Sequence, residues 1–91
     1  MYGGRVVWDE ANRRHLTMDH PERAITVDEV EQVLDDPRRT ENHHQRRGSY
    51  VVVGRTGRGR LLVVAYVLHP RGRYPVHARQ AGATLRKEYG A

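Results

Sequence analysis

Residues 49–68 read SYVVVGRTGRGRLLVVAYVL, and this stretch decides the fold. Ser49–Arg55 is rich in valine, whose β-branched side chain packs well on a pleated surface and is crowded in a helix. Thr56-Gly57-Arg58-Gly59 then supplies glycines that can take positive φ, as a tight turn requires. Arg60–Leu68 follows as a nearly unbroken apolar run, as expected of a central strand covered on both faces. Two such runs about a Gly-rich turn read as an antiparallel hairpin.

Working outward, Pro70-Arg71-Gly72 turns the chain again, and Arg73–Ala78 extends the meander by a third strand. A weaker strand is expected over Thr40–Arg46. Before Arg38 the period changes from 2 to 3.6. Thr26-Val27-Asp28-Glu29 is a capping box, with Ile25 as a staple and Val27, Val30, Val33 and Leu34 on one stripe. Asp36-Pro37 ends that helix. Asp9-Glu10 begins an earlier helix running through Leu16, and His20-Pro21 interrupts it. Arg5–Trp8 is a short β-prone run. Gly82 caps a last short helix carrying Leu85, Arg86 and Tyr89. The predicted order is β-α-α-β-β-β-β-α over a single domain, residues 1–91. The fold class is α+β: an N-terminal strand and two helices packed on a small antiparallel sheet, with a short C-terminal helix.

Bulk properties constrain the rest. Hydrophobic content is 37% with no Phe, so the core rests on Val, Leu, Ile, Trp8 and Tyr. Cys is absent, which excludes disulfides, thiolate catalysis and Cys-ligated zinc. No run approaches the roughly 18 apolar residues of a membrane span, and no signal-peptide pattern opens the chain, so a cytoplasmic location is expected. Fifteen of the sixteen basic side chains are Arg. Residues 1–37 carry a balance of −5 and residues 38–91 a balance of +10. Arginine's planar fork matches phosphate, so a basic half built from it suits a polyanion. Plain surface Arg is the duller account.

The central strand exposes a mismatch. Its faces carry Leu61, Val63, Ala65 and Val67, and then Leu62, Val64, Tyr66 and Leu68. Two helices cover one face, so part of the other is left for a partner.

Trp8-Asp9-Glu10, Asn12, His15-Leu16 and the capped helix ending at Asp36-Pro37 form one series with Gly54-Arg55-Thr56, Gly59-Arg60-Leu61, Ala78-Arg79, Arg86 and Tyr89. In order and spacing this series resembles the BrnT family of type II toxin–antitoxin ribonucleases, in the RelE/ParE-like superfamily. The resemblance spans residues 6 to 89. It implies a RelE-like fold and a toxin that cleaves mRNA without a metal or other cofactor, the substrate's 2′-hydroxyl attacking the adjacent phosphate. That chemistry needs a base, an acid and cations around the phosphorane. His15, Arg79, Arg86 and Tyr89 are the catalytic candidates on this reading. Arg55, Arg58 and Arg60 around the hairpin turn, and His77, are the RNA-binding candidates, with His77 taken to face away from Arg79. The implied partners are RNA, free or on the ribosome, and a cognate antitoxin, for which a ribbon-helix-helix DNA-binding protein is one candidate.

Other assignments stay open at this point. Arg79 and Arg86 can instead pair with Asp9 or Glu10, His15 can cap a helix end, and Tyr89 can close the core with Trp8. His43-His44 is not a metal pair, because neighbours in a strand point opposite ways. Leu85 stands where the family commonly has Glu, and Pro21-Glu22-Arg23-Ala24 follows His20 where the family goes directly into a helix. The alternative function is a non-catalytic RNA- or ribosome-binding module of the same fold.

Overall fold

The computed structural model describes residues 4–44 and 47–83. Helix α1 spans Glu10–Thr17, a 3₁₀ turn spans Pro21–Arg23, and helix α2 spans Val27–Leu34. Four strands follow: β1 Thr40–His44, β2 Ser49–Arg55, β3 Leu61–His69 and β4 Gly72–Gln80. They form one antiparallel meander in the order β1-β2-β3-β4. The chain is therefore α+β, as the patterning implied. The expected C-terminal helix, with Leu85, Arg86 and Tyr89, lies outside the described residues.

Both helices begin as their caps dictate. Thr26 accepts from the Glu29 N–H at 3.2 Å while the Glu29 side chain accepts from the Thr26 N–H. Asp9 and Asn12 form the same reciprocal pair at α1. Ile25, Val30, Val33 and Leu34 from α2 and its lead-in pack with Leu16 on Val52, Leu62, Val64, Tyr66 and Ala78. Val27 is only half-buried, at the margin of the stripe. Full burial of each Val or Leu contributes about 1.5–3 kcal/mol. Tyr66 buries its ring and donates from its hydroxyl to Glu41 at 2.6 Å. Burial, then the Glu41 carboxylate, keeps that hydroxyl protonated well above the usual tyrosine range.

The N-terminal run does not form a strand. It makes a single parallel bridge between Val6 and Arg73. Asp9 must turn into the α1 cap, which leaves too few extended residues for a ladder. Side chains add to the two backbone bonds that Arg73 makes with Arg5 and Val7. Buried Asn12 donates from Nδ2 to the carbonyls of Val7 and Pro75, both at 3.0 Å. Arg73, 1% exposed, donates to the carbonyls of Leu34 and Gly4 and to Asp35 Oδ1. It thereby satisfies the C-terminal end of α2 and ties it to the start of β4.

Strand β4 is longer than the pattern suggested, and a bulge shifts its register. Ala65 pairs with His77 but Tyr66 pairs with Pro75, so Val76 is the extra residue. Arg73, Pro75 and Ala78 thus all face the helices, while Val76, His77 and Arg79 share the opposite face.

A cationic groove on the open sheet face

The face of the sheet away from α1 and α2 is half finished. Val53, Leu61, Val63 and Ala81 form a small second cluster there, with Val51 beside it. Next to it lies an open groove of about 510 Å³. Its floor is Val51, Val63, Ala65, Val67 and Val76; among the described residues its rims are His44, Arg47 and Ser49 on one side and His77 and Arg79 on the other. An apolar floor between cationic rims suits a ligand with flat apolar parts and negative charge. The described lining includes no carboxylate.

Strand geometry corrects the expectation that His77 faces away from Arg79, and the bulge sets which face they share. Residues two apart on a strand point the same way, and past Val76 His77 and Arg79 do so. They line one rim together, rather than opposite faces. The His77 ring is half-buried, and its proton affinity is held below the usual histidine value of 6.5. Burial is the main cause, followed by the charges of Arg23, Arg79, His15 and His20. Those four groups therefore share one neighbourhood at the end of β4. Arg23 donates from Nη1 to the Ala78 carbonyl at 3.1 Å, which fixes the 3₁₀ turn against the strand between His77 and Arg79.

His15 belongs to this neighbourhood but not to the described lining of the groove. Its Nδ1 lies 3.3 Å from Asp19 Oδ2 and its ring meets His20 edge-on at 5.9 Å. His20 in turn lies 3.5 Å from Glu22. Arg79 is exposed and donates to the neighbouring Gln80 carbonyl at 3.2 Å. It does not pair with Asp9, whose oxygens accept from the Asn12 N–H and the Tyr74 hydroxyl. Those two hydrogen bonds hold the Asp9 carboxyl below its ordinary value. Arg86 and Tyr89 lie outside the described residues.

The hairpin arginines do not act as a set. The Arg60 guanidinium is engaged by Glu29 and by the carbonyls of Ala24 and Arg23. Expected to hold RNA, this guanidinium also serves as a clamp within the fold. Arg55 donates to the Gly59 carbonyl across its own turn at 2.9 Å. Arg58 is exposed at the tip, its backbone N–H on Thr56 Oγ1. Arg58 and Arg60 line a larger depression of about 820 Å³ at the start of α2, but Asp28 and Glu29 line it too. Its mixed charge suits a polyanion less than the open sheet face does.

Sequence reasoning missed Arg23, His44, Arg47 and Ser49. Arg47 and Ser49 flank positive-φ Gly48, and Arg23 acts through a turn with no periodicity. Only the charge excess after residue 38 hinted at part of this set. Among the described residues no group of three metal-ligating side chains occurs, and His43 stacks on Tyr50 at 4.5 Å. No family model and no curated protein matches this chain.

Proposed function

We propose that this chain is the toxin of a type II toxin–antitoxin system, a BrnT-like member of the RelE-like superfamily. It cleaves RNA in the cytoplasm without a metal, by attack of the 2′-hydroxyl on the adjacent phosphate. The observation that carries this reading is the groove on the open sheet face, with His77 and Arg79 side by side on one rim and Arg47 on the other. On this reading Arg79 holds the phosphate, where a guanidinium stabilises the charge of the phosphorane. Val63, Ala65 and Val67 offer an apolar bed for a nucleobase.

The antitoxin fits the same surface. An acidic amphipathic segment laid along the groove would cover the valines and neutralise the rims, removing substrate access by occupation.

The test is cleavage of single-stranded RNA in chelator-containing buffer, with the products checked for 2′,3′-cyclic phosphate. Saturable cleavage leaving that end is the expected result. Binding with a steep salt dependence and no cleavage would instead favour the non-catalytic RNA- or ribosome-binding module.

A further inference from the structure

We infer that His77 is the general base of the reaction, taking the proton from the attacking 2′-hydroxyl beside a phosphate held by Arg79. The inference rests on the ribonuclease reading and names the group that starts its chemistry.

Three histidines compete for the role. His15 is exposed, with Nδ1 3.3 Å from Asp19, and His20 sits 3.5 Å from Glu22. In both, a ring nitrogen already faces a carboxylate and is not open to a 2′-hydroxyl. His77 has no hydrogen bond or ion pair to a carboxylate among the described residues. It is also the only one of the three among the described residues of the groove. A base must lie within hydrogen-bond reach of the proton it removes, so placement ranks first.

The surroundings of His77 work in the same direction. Across the ladder β3 presents Ala65, and β2 presents Val51 to the groove, neither of which titrates. The charges that reach it are Arg79 on its own strand, Arg23 from the 3₁₀ turn, and His15 and His20 beyond the strand edge. His44 and Arg47 stand on the far rim. The charges of Arg23, Arg79, His15 and His20 favour the neutral ring, which is the competent form of a base near neutral pH.

The step balances as follows. A neutral His77 nitrogen takes the 2′-hydroxyl proton as that oxygen bonds to phosphorus. The bond from phosphorus to the 5′-oxygen breaks, and the leaving oxygen takes a proton from water in the open groove. The His77 imidazolium returns its proton to solvent. The products are a 2′,3′-cyclic phosphate and a 5′-hydroxyl.

The test combines kinetics on the full chain with a measurement on the unmutated protein. Cleavage of a short RNA in chelator is followed from pH 5 to pH 9, and the His77 ring is titrated by NMR. The kcat/KM of the unmutated chain is expected to rise with pH through an inflection below 6.5 that matches the NMR titration of His77. His77→Gln is expected to lose about 100-fold or more in kcat and to lose the inflection. Its affinity for an uncleavable 2′-deoxy analogue should stay within about twofold, which a generally damaged groove would not allow. The inference is overturned if His77→Gln keeps its rate and inflection, if the kinetic and NMR values differ, or if His15→Gln removes the inflection instead. In those cases the ribonuclease reading survives. Failure of the unmutated chain to cleave any RNA sinks both.

Discussion

Arg60 donates from Nη1 to both carboxylate oxygens of Glu29, at 3.0 and 2.9 Å, and so fastens the β2–β3 turn to the first turn of α2. The same guanidinium reaches the carbonyls of Ala24 and Arg23 at 2.8 and 3.0 Å. These acceptors belong to the connection between the 3₁₀ turn and α2, which has little regular hydrogen bonding of its own. One side chain thus ties the β2–β3 turn to acceptors that lie 31 to 37 positions earlier in the chain.

Arg60→Ala is therefore expected to act on stability, not on RNA. Losing these charge-assisted hydrogen bonds from a part-buried site costs roughly 2 kcal/mol. A urea titration reads this as a lower midpoint. The slope of log affinity for RNA against log salt should be unchanged. A slope reduced by a full phosphate contact would show that Arg60 touches RNA after all.

Arg79→Ala is expected to do the reverse. Arg79 is exposed and its hydrogen bond goes to an adjacent backbone carbonyl, so stability should shift by less than about 0.5 kcal/mol. The salt slope for single-stranded RNA should fall by about 0.7, one phosphate's worth. Cleavage should fall by about 100-fold or more. Unaltered cleavage would remove Arg79 from the site.

The contrast between Arg60 and Arg79 shows where sequence reading is strong. Helix α2, the Gly-rich hairpin and the β3 run were legible because local chemistry and periodicity agree with the fold there. Several described residues of the series that begins at Trp8 are architectural. Asn12 clamps two carbonyls, Asp36 accepts the Arg55 N–H at 2.8 Å, and Thr56 Oγ1 accepts from Arg58 and Arg60. Gly54 lets β2 approach α2, where a Cβ would stand 3.0 Å from the Val33 carbonyl. Charge type alone could not separate Arg60 from Arg79, because that depends on which acceptors the fold brings near. The facing of His77 follows from period two alone, since it lies two residues from Arg79; the bulge at Val76, which has no local sequence mark, decides only which face of the sheet the two share. The buried role of Arg73 was invisible for the same reason as that of Arg60: its acceptors are supplied by residues far away in the chain.

Arg73→Met keeps much of the volume and removes the guanidinium. The carbonyls of Leu34 and Gly4 then lose their donor, and the N-terminal run loses its tie to α2. The expected cost is about 3–5 kcal/mol, a large part of a small domain's total. Thermal unfolding should show it as a fall in Tm well beyond that of Arg60→Ala. An equal or smaller fall would mean that the buried guanidinium's desolvation offsets its hydrogen bonds.

Gly72→Ala tests the contact that seats the N-terminal run. Gly72 has φ of 147°, and a Cβ there would come 2.1 Å from the Arg5 carbonyl oxygen. Arg5 accepts the Arg73 N–H at 2.8 Å, so the clash cannot be relieved without opening that bond. The substitution should destabilise by about 4 kcal/mol or more. Hydrogen exchange should show the Val7 and Arg73 amides losing protection first. Unchanged protection at both would rule out the close approach.

His77 also links the groove to pH through stability. Its folded proton affinity lies below the unfolded value of 6.5, chiefly from burial and then from Arg23. Above both values the ring is neutral in either state and contributes nothing. Between them the unfolded chain binds a proton that the folded chain does not, so stability falls as the pH drops through 6.5 towards the folded value. Below the folded value both states are protonated and the loss is complete. His77→Gln cannot take up that proton. Its urea midpoint, compared with that of the unmutated chain, should therefore gain steadily as the pH is lowered from about 7.5 and then level off. Parallel pH profiles for the two proteins would mean that the ring is not held neutral by its surroundings, and its competence as a base near neutral pH would go with it.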